Sequence, residues 1–250
     1  MKYTVFPHAN TPETPLIIGH RGFTPVAPEN SLPSFEAAGK RGFWAIETDV
    51  RRTRDGILVC CHNATTAARY NAELAIADAT YAELLGLTLA KGNGLDRYPS
   101  DELKMPTFEQ YLDICERYGA VPFIESKEIV IDQIFDTLRR RDLMGSSVMS
   151  SVNFDHIVEA RRLDRDIFIH HIFSTPERML ELAEMGNAGL SYNYPDLDLL
   201  PAGLIEETHA HGVKVCLRAG DTVETCRRMF DLGLDYIPSN KIYRIDGEND

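Results

Sequence analysis

Three acids, two imidazoles and two cations stand at the ends of short apolar runs: Glu47-Thr48-Asp49, Glu125-Ser126-Lys127, His20-Arg21 and His62. Each run reads as a strand, so all these groups can meet at one end of a barrel. Carboxylates at Glu47, Asp49 and Glu125 suit a hard divalent cation, Mg²⁺ or Ca²⁺, and no Cys/His cluster suggests structural zinc. Imidazole titrates near neutral pH, so of His20 and His62 one can hold a proton while the other lacks it. Arg21 can grip two oxygens of an anion, and Lys127 supplies a point charge. Metal-assisted cleavage of a phosphate ester is the simplest chemistry that uses them all. A Glu-x-Asp pair alone is common on surface strands; the third acid on the next barrel strand gives it weight.

The elements that must position these residues follow from hydrophobic periodicity. Residues 16–20 read as a first strand and 31–41 as a helix, with Pro33 in its first turn. Residues 44–50 form a strand with Ile46 and Thr48 on one face and Glu47 and Asp49 on the other. Arg54-Asp55-Gly56 turns the chain back into a strand at 57–61. Residues 63–106 are polar and small, with a short helix at 81–85, and read as an excursion over the barrel mouth without a core of its own. Thr107 caps a helix through Tyr118. Strands are expected at 121–125, 147–152, 167–173, 188–191, 213–217 and 234–237, and helices at 129–141, 154–163, 176–185, 197–211 and 222–231. Eight strand–helix steps fit a (β/α)8 barrel, whose active site lies at the C-terminal strand ends.

Composition sets limits. The 250 residues carry 26 Lys+Arg against 38 Asp+Glu, a net charge of -12, which argues against a nucleic-acid groove but not against a small phosphate ligand. The five cysteines are odd in number and include no C-x-x-C pair, as expected of buried thiols in a reducing compartment. The N-terminal residues lack the apolar core of a signal peptide, and no apolar run approaches twenty residues. A cytoplasmic location and no stable membrane association are therefore expected. Nothing in the sequence sets an oligomeric state, and residues 244–250 read as a polar tail.

His20-Arg21-Gly22, Pro28-Glu29-Asn30-Ser31, Ser34-Phe35, Glu47-Thr48-Asp49-Val50, Thr53, Asp55-Gly56 and His62 together resemble the glycerophosphodiester phosphodiesterase family. Glu125-Ser126-Lys127 is similar to that family's E-x-K step. The match is dense over 16–62, touches 107–127 and is loose thereafter. The resemblance implies a TIM barrel with a small insertion after the second strand, here 63–106. It implies Glu47, Asp49 and Glu125 on a divalent cation, His20 and His62 in acid/base catalysis, and Arg21 and Lys127 on the phosphate. The implied reaction converts a glycerophosphodiester, or a related small phosphodiester, to sn-glycerol 3-phosphate and an alcohol. A neighbouring hydroxyl of the substrate can attack first, giving a cyclic phosphate that water opens. Two other readings are a phospholipase D-like enzyme acting on lysophospholipid headgroups and a non-catalytic binder of a phosphorylated ligand. The first wants an apolar lid that the polar 63–106 stretch does not offer; retention of both histidines argues against the second.

Several positions depart from the family pattern. Asn63 stands where an Asp is usual, and Arg69 follows one residue later than the family's Arg, with Ala68 in its place. Arg218-Ala219-Gly220-Asp221 replaces W-T-V-N near the seventh strand, and Ser239-Asn240 replaces T-D near the eighth. Arg218 turns an aromatic wall cationic, so an additional anionic or strongly polar group on the substrate is expected; the competing expectation is a pair with Asp221 or another acid. Asn30 is expected to satisfy backbone groups before the first helix. Tyr192, Asn193 and Tyr194 are expected either to border the same mouth or to pack structurally.

Overall fold

The computed structural model describes residues 4–194 and 196–246. Eight parallel strands run in the order β8-β7-β6-β5-β4-β2-β1-β9. They are β1 (Ile17–Gly19), β2 (Ala45–Arg52), β4 (Val121–Ser126), β5 (Val148–Ser151), β6 (Phe168–Ser174), β7 (Ala188–Tyr192), β8 (Lys214–Cys216) and β9 (Ile237–Ser239). The short β3 (Leu58–Cys60) returns antiparallel beside β2, as the turn at 54–56 predicts. No ladder joins β8 to β9 among the described residues, yet the Asp235 N–H donates to Val215 O at 2.9 Å and the Gly220 N–H to Pro238 O at 2.8 Å. These bonds close the seam of a TIM barrel.

Strand alternation divides the apolar residues into two layers. Ile46, Ile124, Met149, Ile169, Leu190 and Val215 face outward into the core shared with the helices. Ala45, Phe123, Val148, Phe168 and Tyr236 fill the barrel interior. The N-terminal segment plugs the bottom: Trp44 Nε1 donates to Val5 O at 2.8 Å, and the Phe6 ring lies 4.8 Å from that of Phe168. Apolar packing below leaves only the upper interior for polar groups.

Around the strands lie α1 (Leu32–Lys40), α2 (Tyr81–Leu85), α3 (Phe108–Tyr118), α4 (Ile131–Arg140), α5 (Phe154–Leu163), α6 (Pro176–Met185), α7 (Leu204–Ala210) and α8 (Val223–Asp231). Ser31 caps α1 and Thr107 caps α3, each in a reciprocal capping box. Tyr111 of α3 donates to Ile46 O at 2.7 Å, fixing the helix against the strand that carries Glu47 and Asp49.

Four expectations need correction. The helix expected over 197–211 is a single turn at Leu197–Leu199 followed by α7, because Pro201 and Gly203, with φ +82°, interrupt it. The last strand lies at Ile237–Ser239 instead of 234–237, which carries Asn240 to the barrel mouth. The excursion after β3 does have a core: Tyr70, Ile76, Leu84, Leu87, Leu89 and Met105 cluster with Val59 and Cys61. Its apolar residues are spaced irregularly, with no helical or strand period to reveal a shared face. The tail expected to be polar from 244 places Ile245 in the main core, while 247–250 lie outside the described residues.

Candidate active site

Parallel pairing of β2 with β4 sets Asp49 beside Glu125, and Glu47 shares their inward face. Oxygens of Glu47, Asp49 and Glu125 lie within 4.8 Å of one another, and all three residues are buried. Lys127, one turn of the pleat beyond Glu125, pairs with Asp49 Oδ1 at 3.0 Å and with Glu125. It ignores Glu128, which pairs with Arg51 at 3.0 Å.

Arg21 reaches the same carboxylate through the β1–α1 loop. Its backbone is left-handed (φ +56°), and Gly22 follows at φ +87°. A Cβ on Gly22 would lie 2.5 Å from Ser34 Oγ, so the tight turn requires glycine there. The turn aims the Arg21 N–H at Glu47 Oε2 (2.8 Å) and its Nε at Asp49 Oδ2 (3.3 Å). Glu29 accepts from Arg21 at 2.9 Å and from Arg69 at 2.5 Å, so Arg69 joins the site despite its displaced position.

Asn30 does more than satisfy backbone groups. Its Nδ2 donates to Asp49 Oδ2 at 2.8 Å, and its Oδ1 accepts from the Thr48 hydroxyl at 2.8 Å. It fixes the rotamer of a central carboxylate from a left-handed backbone position (φ +50°).

Both histidines line one cavity of about 380 Å³ with Arg21, Glu47, Glu125 and Lys127. His20 donates through Nδ1 to Asn240 Oδ1 at 2.8 Å. The amide is oriented from behind, because Asn240 Nδ2 donates to Asp221 Oδ2 at 2.8 Å and its backbone N–H to Asp221 Oδ1 at 2.7 Å. His62 donates through Nδ1 to Asn63 Oδ1 at 2.8 Å. Each ring is thus held by an amide oxygen through Nδ1. In the sequence Asn63, Asp221 and Asn240 stand out only as departures from the family pattern, and that departure is the signal that points to them.

Electrostatics favour a cation among the acids. Burial, then the charges of Asp49 and Glu125, pushes the Glu47 carboxyl well above the usual carboxylate range. Burial and Asp49 raise Glu125 as well. Burial opposes ionisation of Asp49 too, but Lys127 and Arg21 hold it below its ordinary value. Glu47 Oε1 is buried with no hydrogen-bond partner among the described residues. An unpaired buried carboxylate oxygen is costly, and a hard divalent cation would relieve it; the all-oxygen donor set fits such an ion. Burial lowers both His20 and His62, with the Arg21 charge adding to the effect at His20.

At the rest of the mouth the structure decides between the alternatives that the sequence leaves open. Arg218 lines the cavity, but Asp221 is engaged by Asn240 and Ser239 and is not its partner. Tyr192 is buried, bonded to Thr208 at 2.9 Å, and packs in the helix layer; Tyr194 rests against the same core. All five cysteines are free and buried. Among the described residues, no helix is long and apolar enough to cross a membrane.

Comparison with known proteins agrees with this arrangement. A glycerophosphodiester phosphodiesterase from Caldanaerobacter subterraneus subsp. tengcongensis is 24% identical over 229 residues, covering 89% of this chain and 92% of that protein. Human glycerophosphodiester phosphodiesterase 1 is 28% identical over 155 residues, 60% of this chain; the match spans 46% of the human protein. Among solved structures, an Oleispira antarctica phosphodiesterase in complex with the product sn-glycerol-3-phosphate superposes with a TM-score of 0.80 at 25% identity, covering 90% of this chain and 93% of that one. A glycerophosphodiester phosphodiesterase from Parabacteroides distasonis gives 0.74 at 25% identity, covering 90% and 92%. The model of the glycerophosphoryl diester phosphodiesterase family matches residues 20–243, from His20 to beyond the last strand. That span takes in the charged and polar residues gathered at the barrel mouth, and the chain belongs to this family of phosphodiester hydrolases.

Proposed function

We propose that this protein hydrolyses a glycerophosphodiester to sn-glycerol 3-phosphate and an alcohol, with a divalent cation and two histidines. The observation that carries the reading is the meeting of three buried carboxylates, two cations and two amide-anchored imidazoles at one cavity. Glu47, Asp49 and Glu125 would hold the cation, which when bound supplies charge neutralisation to the phosphoryl oxygens. Arg21 and Lys127 orient the diester and offset the charge that builds on its non-bridging oxygens. Nε2 of one histidine takes the proton of the attacking hydroxyl, and Nε2 of the other protonates the departing alkoxide. Their Nδ1 atoms are already committed to Asn240 and Asn63.

His20→Ala and His62→Ala proteins test the assignment. Each is expected to lose roughly 10²–10⁴-fold in turnover while still binding the metal by calorimetry. Undiminished turnover in either would remove that histidine from the mechanism. A second reading, cleavage of lysophospholipid headgroups, gains from Val152 (49% exposed) and Phe173 (51% exposed), which line the cavity and could meet an acyl chain. Lysophosphatidylcholine in the same assay separates the two.

A further inference from the structure

The loop after β8 is pinned at both ends and presents one charged side chain between them. Leu217 is buried on one side. On the other, the Gly220 N–H donates to Pro238 O at 2.8 Å, and a Cβ on Gly220 would lie 3.0 Å from Cys226 Sγ and 3.1 Å from Met229 Sδ. Asp221 accepts from the Asn240 backbone, the Asn240 amide and the Ser239 hydroxyl. Between these anchors Arg218 is exposed and lines the cavity, with no ion pair or hydrogen bond to any described residue. Arg21 and Lys127, by contrast, are each matched by buried acids. The neighbouring stretch of cavity lining is apolar, with Val152, Ile172, Phe173 and Leu217. Beyond the catalytic cluster and the neutral, buried His170, Arg218 is therefore the one charged group that the described cavity offers a ligand. A guanidinium on a fixed backbone, uncompensated and facing a cavity, is a preformed anion site.

We infer that the alcohol portion of the substrate carries an anionic group, a carboxylate or a second phosphate, and that Arg218 selects for it. This rests on the diesterase reading above. The test compares four glycerol phosphodiesters whose alcohols are glycolate, 2-phosphoethanol, ethylene glycol and choline. The wild-type protein is expected to favour one or both anionic diesters over the ethylene glycol diester by about tenfold in kcat/KM, the worth of one charge-assisted contact. Whether glycolate or 2-phosphoethanol gains more tells a carboxylate from a phosphate. Arg218→Gln is expected to abolish the preference through a higher KM for the anionic diesters, and Arg218→Lys to restore part of it. Equal use of all four diesters by the wild type, or a preference that survives in Arg218→Gln, overturns the inference and leaves the diesterase reading intact. Calorimetry on His20→Ala protein reports the same selectivity as binding. Anion-selective binding lost with Arg218, accompanied by no wild-type turnover of any diester, would keep this inference and overturn hydrolysis.

Discussion

His170 lies on β6, faces the barrel interior and borders the site's cavity, 2% exposed, with Nδ1 2.6 Å from the Tyr236 hydroxyl and its ring edge-on to Phe123. Burial, reinforced by neighbouring His171, lowers its pKa from 6.5 to about 3. The unfolded chain therefore takes up this proton first as pH falls. The stability contributed by keeping the ring neutral is fully present above 6.5 and is lost progressively toward pH 3. Within that window the slope is about 1.4 kcal/mol per pH unit, so moving from pH 7 to pH 5 removes about 2 kcal/mol. For a chain of this size that is about 4–8 °C in Tm. Thermal melts of the wild type and His170→Gln at both pH values isolate the effect, because both share the other titrating groups. Glutamine keeps a polar partner for Tyr236. The wild type should lose its advantage over the variant by about 2 kcal/mol between pH 7 and pH 5. A difference that does not change with pH would refute the idea that His170 is held neutral in the folded barrel.

Asn240→Ala should lower kcat by about tenfold or more with little change in KM, since it releases the His20 ring without touching Arg21 or Lys127, and Asp221→Asn should do so more weakly; steady-state kinetics on a choline diester reports both. Glu47→Gln should raise the melting temperature of the metal-free protein, because it removes a charge buried against Asp49 and Glu125, and should abolish the rise that Mg²⁺ gives the wild type; calorimetry with and without the ion checks each half. Burial lowers both His20 and His62, so if they carry the proton transfers proposed above, the limb of the rate profile that requires a neutral imidazole should fall below the ordinary histidine value of 6.5, and a limb at or above it would contradict that assignment.

What the sequence revealed depended on how local the signal was. Glu47 and Asp49 share a face because strand side chains alternate, and Glu125 ends the next barrel strand, so their meeting was legible without coordinates. The capped helices α1 and α3 were legible for the same reason: Ser31 and Thr107 act within a single turn. Asn30 and Asn240 were not, because their roles depend on distant partners; Asn240 lies 220 residues from His20 in sequence. The core of the insertion was equally hidden, since Tyr70, Leu89 and Met105 are brought together by loops that lack a repeating period. Arg218 stood out by type, but only the engagement of Asp221 by Asn240 showed that its charge goes unmatched.

Hydrolysis of a panel of glycerophosphodiesters by the purified protein, first with chelator and then with Mg²⁺, Mn²⁺ or Ca²⁺ restored, tests the central claim most directly. The account predicts no release of sn-glycerol 3-phosphate under chelation and recovery when a divalent cation returns. Turnover indifferent to the chelator, or none by folded, metal-bound protein on any glycerol diester, would contradict it.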